Sequence, residues 1–200
     1  MNDFELARND IRVWQTILDE SRESSHPDVQ SILLTSYGGS GLNMLATWAH
    51  QYRPTITHLW INRLCHSIRN FGIRPTLVVV GHPVAAWNSM DRRGIKLLNT
   101  WKILGYIPEG LLGTDPLSYA MLRYLRSWQV PQPGVALVKY EALWDHQREI
   151  CDHLQIPSDA FPEYQQRSSS TEITSDKVFN PCMGICLDLY KRLPDWCPAT

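Results

Sequence analysis

Apolar positions along the chain follow two spacings in turn. Short runs of apolar and β-branched residues predict four strands, at Ser31–Tyr37, Thr55–Leu59, Thr76–Gly81 and Val135–Tyr140. Apolar residues at helical spacing predict helices between the first three strands and after the third, at Leu42–Gln51, Ile61–Phe71 and Val84–Arg93. This alternation is typical of a parallel sheet covered by helices on both faces, so we expect an α/β fold.

Segments outside this alternation are also expected to be mostly helical. Residues 1–25 carry apolar side chains at helical spacing and predict an N-terminal amphipathic helix. Residues 95–130 contain turn-rich pieces that frame several aromatic residues, which predicts a helical insertion. This insertion forms either the acceptor side of a pocket or a plain helical cap. Helices are also predicted at Glu141–Leu154 and Met183–Leu193.

Composition narrows the function classes. A chain of 200 residues with 44% hydrophobic content is expected to form one domain, residues 1–200. Nineteen basic and twenty acidic residues leave a net charge of −1, so no global field attracts a nucleic acid. No apolar run approaches the length of a signal-peptide core or a membrane span. We therefore expect a cytoplasmic protein with neither a nucleic-acid nor a membrane partner.

The five cysteines are scattered along the chain, which favours reduced thiols over a disulfide framework. Cys182 and Cys186 are four residues apart, as two ligands on one helical turn could be. No matching cysteine or histidine pair completes a tetrahedral set, so no metal is expected.

The segment Ser36–Asn43 is rich in glycine, follows an apolar strand and precedes a predicted helix. Glycines allow successive backbone N–H groups to point into one cavity, and a helix N-terminus adds partial positive charge there. The sequence therefore predicts a phosphate-binding turn, with Gly38, Gly39, Ser40, Gly41, Leu42 and Asn43 as candidate contacts. This turn is unusual because it contains no lysine or arginine.

The order of landmarks resembles that of the sulfotransferases that use 3′-phosphoadenosine 5′-phosphosulfate (PAPS). Residues 37–43 are similar to that family's Tyr-Pro-Lys-Ser-Gly-Thr-Thr loop, and Val80-Gly81-His82-Pro83 with Ser89 is similar to its Arg-Asn-Pro strand end and following serine. Thr57-His58-Leu59 matches a Thr-His-Leu strand end, and residues 139–143 match an Arg-Tyr-Glu-Asp-Leu-like box. Arg167-Ser168-Ser169 is a weaker match to the family's closing loop.

This resemblance implies a three-layer P-loop/sulfotransferase-like fold and sulfuryl transfer from PAPS to a hydroxyl or amine of a small organic acceptor, without a metal. In the family pattern, residues 38–43 hold the 5′-phosphosulfate, while Ser89 and Arg167 lie at the 3′-phosphate. Tyr140 borders the adenine. His58 is the candidate general base, because an imidazole suits removal of a proton from the acceptor; a structural histidine at a strand end is the alternative, and His82 is a rival base.

Three departures from the pattern leave the function open. Gly39 replaces the family lysine, Gly81 replaces the 3′-phosphate arginine, and Met44 stands where an aromatic residue often stacks on adenine. Arg92 or Arg93 could supply the 3′ cation, because they follow Ser89 by three and four residues and so share its helix face. Candidates to replace the lysine are Lys139, Arg167 and Lys177.

Two alternatives to sulfuryl transfer therefore remain. One is a non-catalytic module that binds a nucleotide or phosphate, and the other is a transferase that uses another phosphorylated donor. The sequence predicts neither the acceptor nor the oligomeric state.

Overall fold

The computed structural model describes residues 33–52, 57–59, 76–108, 114–130, 132–163, 171 and 180–199. The helices predicted at residues 1–25 and Ile61–Phe71 lie outside these ranges. Across the described residues the chain forms an α/β fold with a small, mostly parallel sheet, as the alternating pattern predicted.

The sheet contains five strands within the described ranges, in the spatial order β2-β1-β3-β4-β5. They are β1 (Leu33–Thr35), β2 (Thr57–Leu59), β3 (Thr76–Val80), β4 (Val135–Lys139) and β5 (Trp196–Cys197). The first four strands are parallel, and β5 pairs with β4 in the antiparallel direction. The sequence pattern did not predict β5, since two residues are too short to show a period of two.

Six α-helices surround this sheet in the described ranges: α1 (Leu42–Tyr52), α2 (Pro83–Arg92), α3 (Lys96–Leu104), α4 (Pro116–Ser127), α5 (Gln147–Leu154) and α6 (Pro181–Arg192). Short 3₁₀ turns form at Tyr140–Ala142 and Ser158–Ala160. Helices α3 and α4 lie within residues 95–130, where the sequence predicts a helical insertion. None of the described helices combines the length and the apolar character needed to cross a bilayer.

The prediction of one continuous helix at Glu141–Leu154 is wrong in its first part. The Leu143 N–H bonds to the Tyr140 carbonyl three residues back, at 3.2 Å, which is the 3₁₀ pattern. The chain then turns, and α5 begins only at Gln147. The apolar spacing of this segment reflects burial in the 3₁₀ turn as well as in the helix.

The central strand β3 contributes to two separate hydrophobic clusters. Val78 and Val80 pack with apolar side chains from α2, α4 and α6, whereas Leu77 and Val79 pack with side chains from α1 and α5. All five residues of β3 are buried. This agrees with the apolar run in the sequence, which lacks the alternation of a strand with one wet face.

Two side-chain caps fix α4 and α6 to each other and to α2. Asp115 Oδ2 accepts hydrogen bonds from the Ser118 N–H and the Trp87 indole N–H, both at 2.8 Å. Asn180 Oδ1 accepts from the Met183 N–H at 3.1 Å, while its Nδ2 donates to Ser118 Oγ at 3.0 Å. Because a cap satisfies helix donors that have no partner within the helix, both helices begin at defined residues.

The strand order creates a crevice at the carboxyl ends of β1 and β3. The chain leaves β1 toward α1 and β2 on one side, and leaves β3 toward α2 and β4 on the other. Connections that diverge in this way define the position where open α/β sheets usually bind ligands.

Candidate functional site

The loop after β1 takes its shape from three glycines in the left-handed region. Their φ angles are +91° at Gly38, +63° at Gly39 and +71° at Gly41, which other residues adopt only with strain. A Cβ atom at Gly39 would lie 2.8 Å from the Cα and carbonyl oxygen of Ala86, and one at Gly41 would overlap the Tyr140 ring. The loop therefore packs directly on the backbone of α2 and on the 3₁₀ turn.

Hydrogen bonds within the loop hold this conformation. The Gly38 N–H donates to Ser36 Oγ, and Ser40 Oγ donates to the Gly38 carbonyl, both at 3.1 Å. The Gly41 carbonyl then accepts from the Met44 N–H at 3.1 Å and so begins α1. No acidic residue occupies the first turn of α1, which leaves the positive end of its dipole without a neighbouring carboxylate in that turn.

Tyr37 connects this loop to the turn that follows β3. Its hydroxyl donates a hydrogen bond to the Gly81 carbonyl, and its ring packs edge-on against Tyr124 with 5.4 Å between ring centroids. The side chain is fully buried. The sequence showed Tyr37 only as part of a motif, and its partner lies 44 residues away.

The loop and α2 together line a cavity of about 240 Å³. Its lining residues are Gly39, Ser40, Gly41, Leu42, Met44, Ser89 and Arg93. Six of these seven are site residues that the sequence indicated in two separate segments. Met44 is the addition: the sequence marked it as a departure from an aromatic position, and it forms part of the wall.

Arg93 brings a guanidinium to this cavity. Its Nε donates to the Ser89 carbonyl at 3.0 Å, so one N–H group fixes the side chain to the last turn of α2. Partial burial lowers the pKa of Arg93, and the neighbouring charge of Arg92 lowers it further. An arginine pKa begins so high that the group stays charged near neutral pH. Arg92 and Arg93 are both exposed, but only Arg93 is among the residues that line the cavity.

The remaining candidates have other positions. Lys139 bonds to Asp195 Oδ1 at 2.9 Å, and its Nζ lies 5.1 Å from the centre of the Tyr190 ring. This lysine is not among the residues that line the cavity. Tyr140 is buried against Gly41, and its ring meets Trp144 edge-on at 5.6 Å. Gly38 does not line the cavity; a Cβ there would lie 3.0 Å from Asn99 Oδ1.

For two candidates only the backbone is described. His58 pairs with Leu34 of β1, one residue before the carboxyl end of β2, and Asn43 lies in the first turn of α1. Their side chains fall outside the described part of the chain, as do all atoms of Arg167 and Lys177.

Glu141 has a role in the site region that the sequence did not reveal. Its Oε1 accepts a hydrogen bond from the His82 N–H at 3.2 Å, and its Oε2 accepts from the Tyr190 hydroxyl at 2.6 Å. In the sequence, Glu141 was recognised only as the glutamate of the Arg-Tyr-Glu-Asp-Leu-like motif at residues 139–143. Its partners are 59 and 49 residues away, so no local pattern could have shown them.

The described cysteines are free thiols, and Cys65 lies outside the described ranges. Burial raises the pKa of Cys186 to about 12 and also raises that of Cys182, with smaller effects from charged neighbours. In the absence of a metal, both thiols are therefore protonated at neutral pH. Among the residues described, no group of three histidines, cysteines or carboxylates could hold a metal ion.

The functional groups at the cavity are a glycine-rich backbone, a helix N-terminus, the serines of both segments and one guanidinium, and together these are suited to an anion. No protein-family model matches the chain, and comparison with curated proteins and with solved structures returns no significant match. A choice of ligand therefore depends on the geometry of the cavity and on the motif resemblance.

Proposed function

We propose that this chain binds PAPS, with phosphate groups in the cavity between Gly39–Leu42 and Ser89–Arg93. It then transfers the sulfuryl group to a hydroxyl or amine of a small organic acceptor. The proposal includes the finer fold assignment, a three-layer P-loop/sulfotransferase-like architecture. The observation that carries it is that the two segments to which the resemblance assigns the two phosphates, about fifty residues apart, line the same cavity.

The position of Arg93 supports the proposal most directly. The resemblance places a cation at the 3′-phosphate, but Gly81 stands where the family has that arginine. Arg93 is the C-cap residue of the helix that contains Ser89, and it lines the cavity four residues later in the chain. A guanidinium can offer two parallel N–H groups to a phosphate, so we assign to Arg93 the charge that is missing at Gly81.

In the proposed reaction an oxygen or nitrogen of the acceptor attacks the sulfur in line. The acceptor–sulfur bond forms while the bond from sulfur to the bridging phosphate oxygen breaks. The acceptor proton passes to His58, and 3′-phosphoadenosine 5′-phosphate leaves with the electron pair. Backbone N–H groups of the loop then stabilise the charge that develops on the leaving phosphate.

One observation favours the non-catalytic alternative, a module that binds a nucleotide or phosphate. The backbone of Ala86 occupies the space that a side chain at Gly39 would need, so this loop has no room for the family's lysine. In addition, Arg93 is the one cation among the described residues that line the cavity. A binding module requires only affinity, whereas an enzyme requires stabilisation that increases in the transition state.

Binding is tested first, by calorimetric titration of 3′-phosphoadenosine 5′-phosphate into the wild-type chain, Arg93→Ala and Arg92→Ala. We expect micromolar affinity for the wild type. Loss of a charge-assisted hydrogen bond, worth about 1.5–3 kcal/mol, should weaken binding about 10- to 150-fold in Arg93→Ala. Arg92→Ala is the matched control, and its affinity should stay near that of the wild type. Absence of binding at millimolar ligand would exclude the proposed donor.

Transfer is tested with PAPS and a panel of phenols, alcohols and amines, with each product detected by its gain in mass. His58→Ala should abolish transfer and leave affinity for 3′-phosphoadenosine 5′-phosphate unchanged. Binding without transfer to any acceptor would favour the non-catalytic module. Binding of other phosphorylated donors in preference to PAPS would favour a different transferase.

A further inference from the structure

We propose that Glu141 and Tyr190 are positioning residues that hold α2, and with it Arg93, against the glycine loop. The inference rests on the proposed phosphate site for its functional meaning. It adds a link from the C-terminal helix α6 to a cavity that this helix does not line.

The link consists of one carboxylate with two donors. Glu141 Oε1 accepts from the His82 N–H at 3.2 Å, and Oε2 accepts from the Tyr190 hydroxyl at 2.6 Å. The second distance is in the range of short, charge-assisted O–H···O⁻ bonds. The carboxylate therefore connects the residue that precedes α2 with the last turn of α6.

The ring of Tyr190 is itself fixed by its neighbours. The Tyr190 ring meets the His82 ring edge-on, with 5.5 Å between the ring centroids. The Nζ of Lys139 lies 5.1 Å from the centroid of the Tyr190 ring. Tyr190 is 9% exposed and belongs to the core cluster of α2, α4 and α6. Because the ring is held in place, the Tyr190 hydroxyl has a fixed position, and its hydrogen bond orients the Glu141 carboxylate.

The start of α2 depends on contacts of this kind. His82 is its N-cap residue and makes no capping hydrogen bond with its own side chain. The turn is held instead by Glu141 on the His82 N–H and by the Tyr37 hydroxyl on the Gly81 carbonyl. One contact thus comes from the C-terminal helix, through Glu141, and the other comes from the glycine loop.

A small change in the direction of α2 at this turn would displace the far end of the helix by a larger distance. Helix α2 has ten residues, so its far end lies about 15 Å from Pro83. A tilt of about 5° at the first turn would move the end that carries Arg93 by roughly 1 Å. The same tilt would alter the contact between Ala86 and Gly39, where there is no space for a Cβ.

The hold on α2 is tested first without ligand, by NMR hydrogen exchange of the His82 amide in Tyr190→Phe and Glu141→Ala. We expect exchange about 3- to 10-fold faster in both variants, the effect of one hydrogen bond or more. Tyr119→Phe is the matched control, because the Tyr119 hydroxyl accepts a long bond of 3.4 Å from Arg123 within α4. Unchanged exchange in both site variants would overturn the inference.

The consequence for the cavity is tested by titration of 3′-phosphoadenosine 5′-phosphate. Tyr190→Phe and Glu141→Ala should each weaken binding about 3- to 10-fold. Glu141→Gln should restore most of it, because the amide oxygen can accept from the His82 N–H while the amide N–H₂ donates to the Tyr190 oxygen. A loss in Glu141→Gln as large as that in Glu141→Ala would contradict the inference, because the amide can make both hydrogen bonds.

A combined variant shows whether the effect runs through Arg93. Tyr190→Phe should cause no further loss of affinity when it is added to Arg93→Ala, whereas independent contributions would multiply. Multiplied losses would contradict the inference. If the wild-type chain binds no nucleotide but His82 exchange still accelerates in Tyr190→Phe, the hold on α2 is supported and the proposed function fails.

Discussion

The two walls of the cavity are built in opposite ways. The loop after β1 presents backbone, and its shape depends on three glycines whose missing side chains let it pack on its neighbours. The wall from α2 presents side chains, Ser89 from the last turn of the helix and Arg93 from the C-cap position that follows it. The first wall thus fixes shape, and the second supplies a hydroxyl and a charge.

This difference explains where the positive charge lies. The resemblance expects a lysine at position 39, but in this chain the backbone of α2 approaches too closely for any side chain there. Close packing of the loop on α2 and a charged side chain at Gly39 exclude each other. A cation at this cavity therefore has to come from elsewhere, and among the described lining residues it comes from Arg93 on the opposite wall.

The largest expected effect comes from adding a single methyl group to the glycine wall, with Gly41→Ala compared with Gly94→Ala. Both glycines have similar positive φ angles, +71° and +66°, but a Cβ at Gly94 has no atom within 4 Å. Gly94→Ala should reduce the free energy of unfolding by about 1–2 kcal/mol from the left-handed backbone alone. Gly41→Ala should lose about 1–3 kcal/mol more, because its Cβ overlaps the Tyr140 ring. Urea denaturation measures both, and equal losses would contradict the packing argument.

The next prediction concerns charge on the loop side. Gly39→Lys should not restore a family-like site; it should lower both stability and affinity for 3′-phosphoadenosine 5′-phosphate, since its Cβ would lie 2.8 Å from the Ala86 backbone. Met44→Lys places a cation on the same cavity from a half-buried helical position. We expect it to tighten binding about tenfold, the worth of one charge-assisted hydrogen bond. Tighter binding by Gly39→Lys would refute the exclusion described above.

A smaller effect is expected from the hydroxyl of the α2 wall. Ser89→Ala keeps the carbonyl that holds Arg93 Nε and removes only the hydroxyl. Affinity for 3′-phosphoadenosine 5′-phosphate should fall about 2- to 10-fold, as for one neutral donor. Ser127→Ala is the control, since its hydroxyl bonds to the Arg123 carbonyl in α4 at 3.0 Å. If Ser89→Ala loses as much affinity as Arg93→Ala, the charge of Arg93 is not the main contribution of the α2 wall, and the comparison of the two walls fails.

The last prediction uses a histidine at the opposite end of β3. Burial lowers the pKa of His153 below its usual 6.5, although its hydrogen bond to the Thr76 carbonyl partly offsets this. The unfolded chain then binds this proton more readily, so the contribution to stability is complete above about pH 6.5 and is lost as pH falls through the folded pKa. His153→Gln should show a smaller loss on acidification in urea denaturation. If the free energy of unfolding falls equally on acidification in His153→Gln and in the wild type, groups other than His153 cause the loss.

Much of this architecture could be predicted because its signals are local. The unbroken apolar run of β3 indicated a strand buried on both faces, and it contributes to two clusters. Helices α2 and α6 begin one and two residues earlier than predicted, since Pro83 and Pro181 each occupy a first-turn position. The start of α5 could not be predicted, because the same apolar spacing suits a 3₁₀ turn that packs beneath Gly41.

By itself, the sequence determined the α/β class, because strand-like and helix-like segments alternate along it. It also determined the glycine loop and the pairing of Ser89 with an arginine one turn later, because each of these depends on spacing within a single segment. Only the tertiary structure decided which of Arg92 and Arg93 lines the cavity, that Lys139 is engaged with Asp195, and that Glu141 joins α2 to α6. These depend on contacts between residues far apart in the chain. Their energies arise only once the sheet brings the carboxyl ends of its strands together.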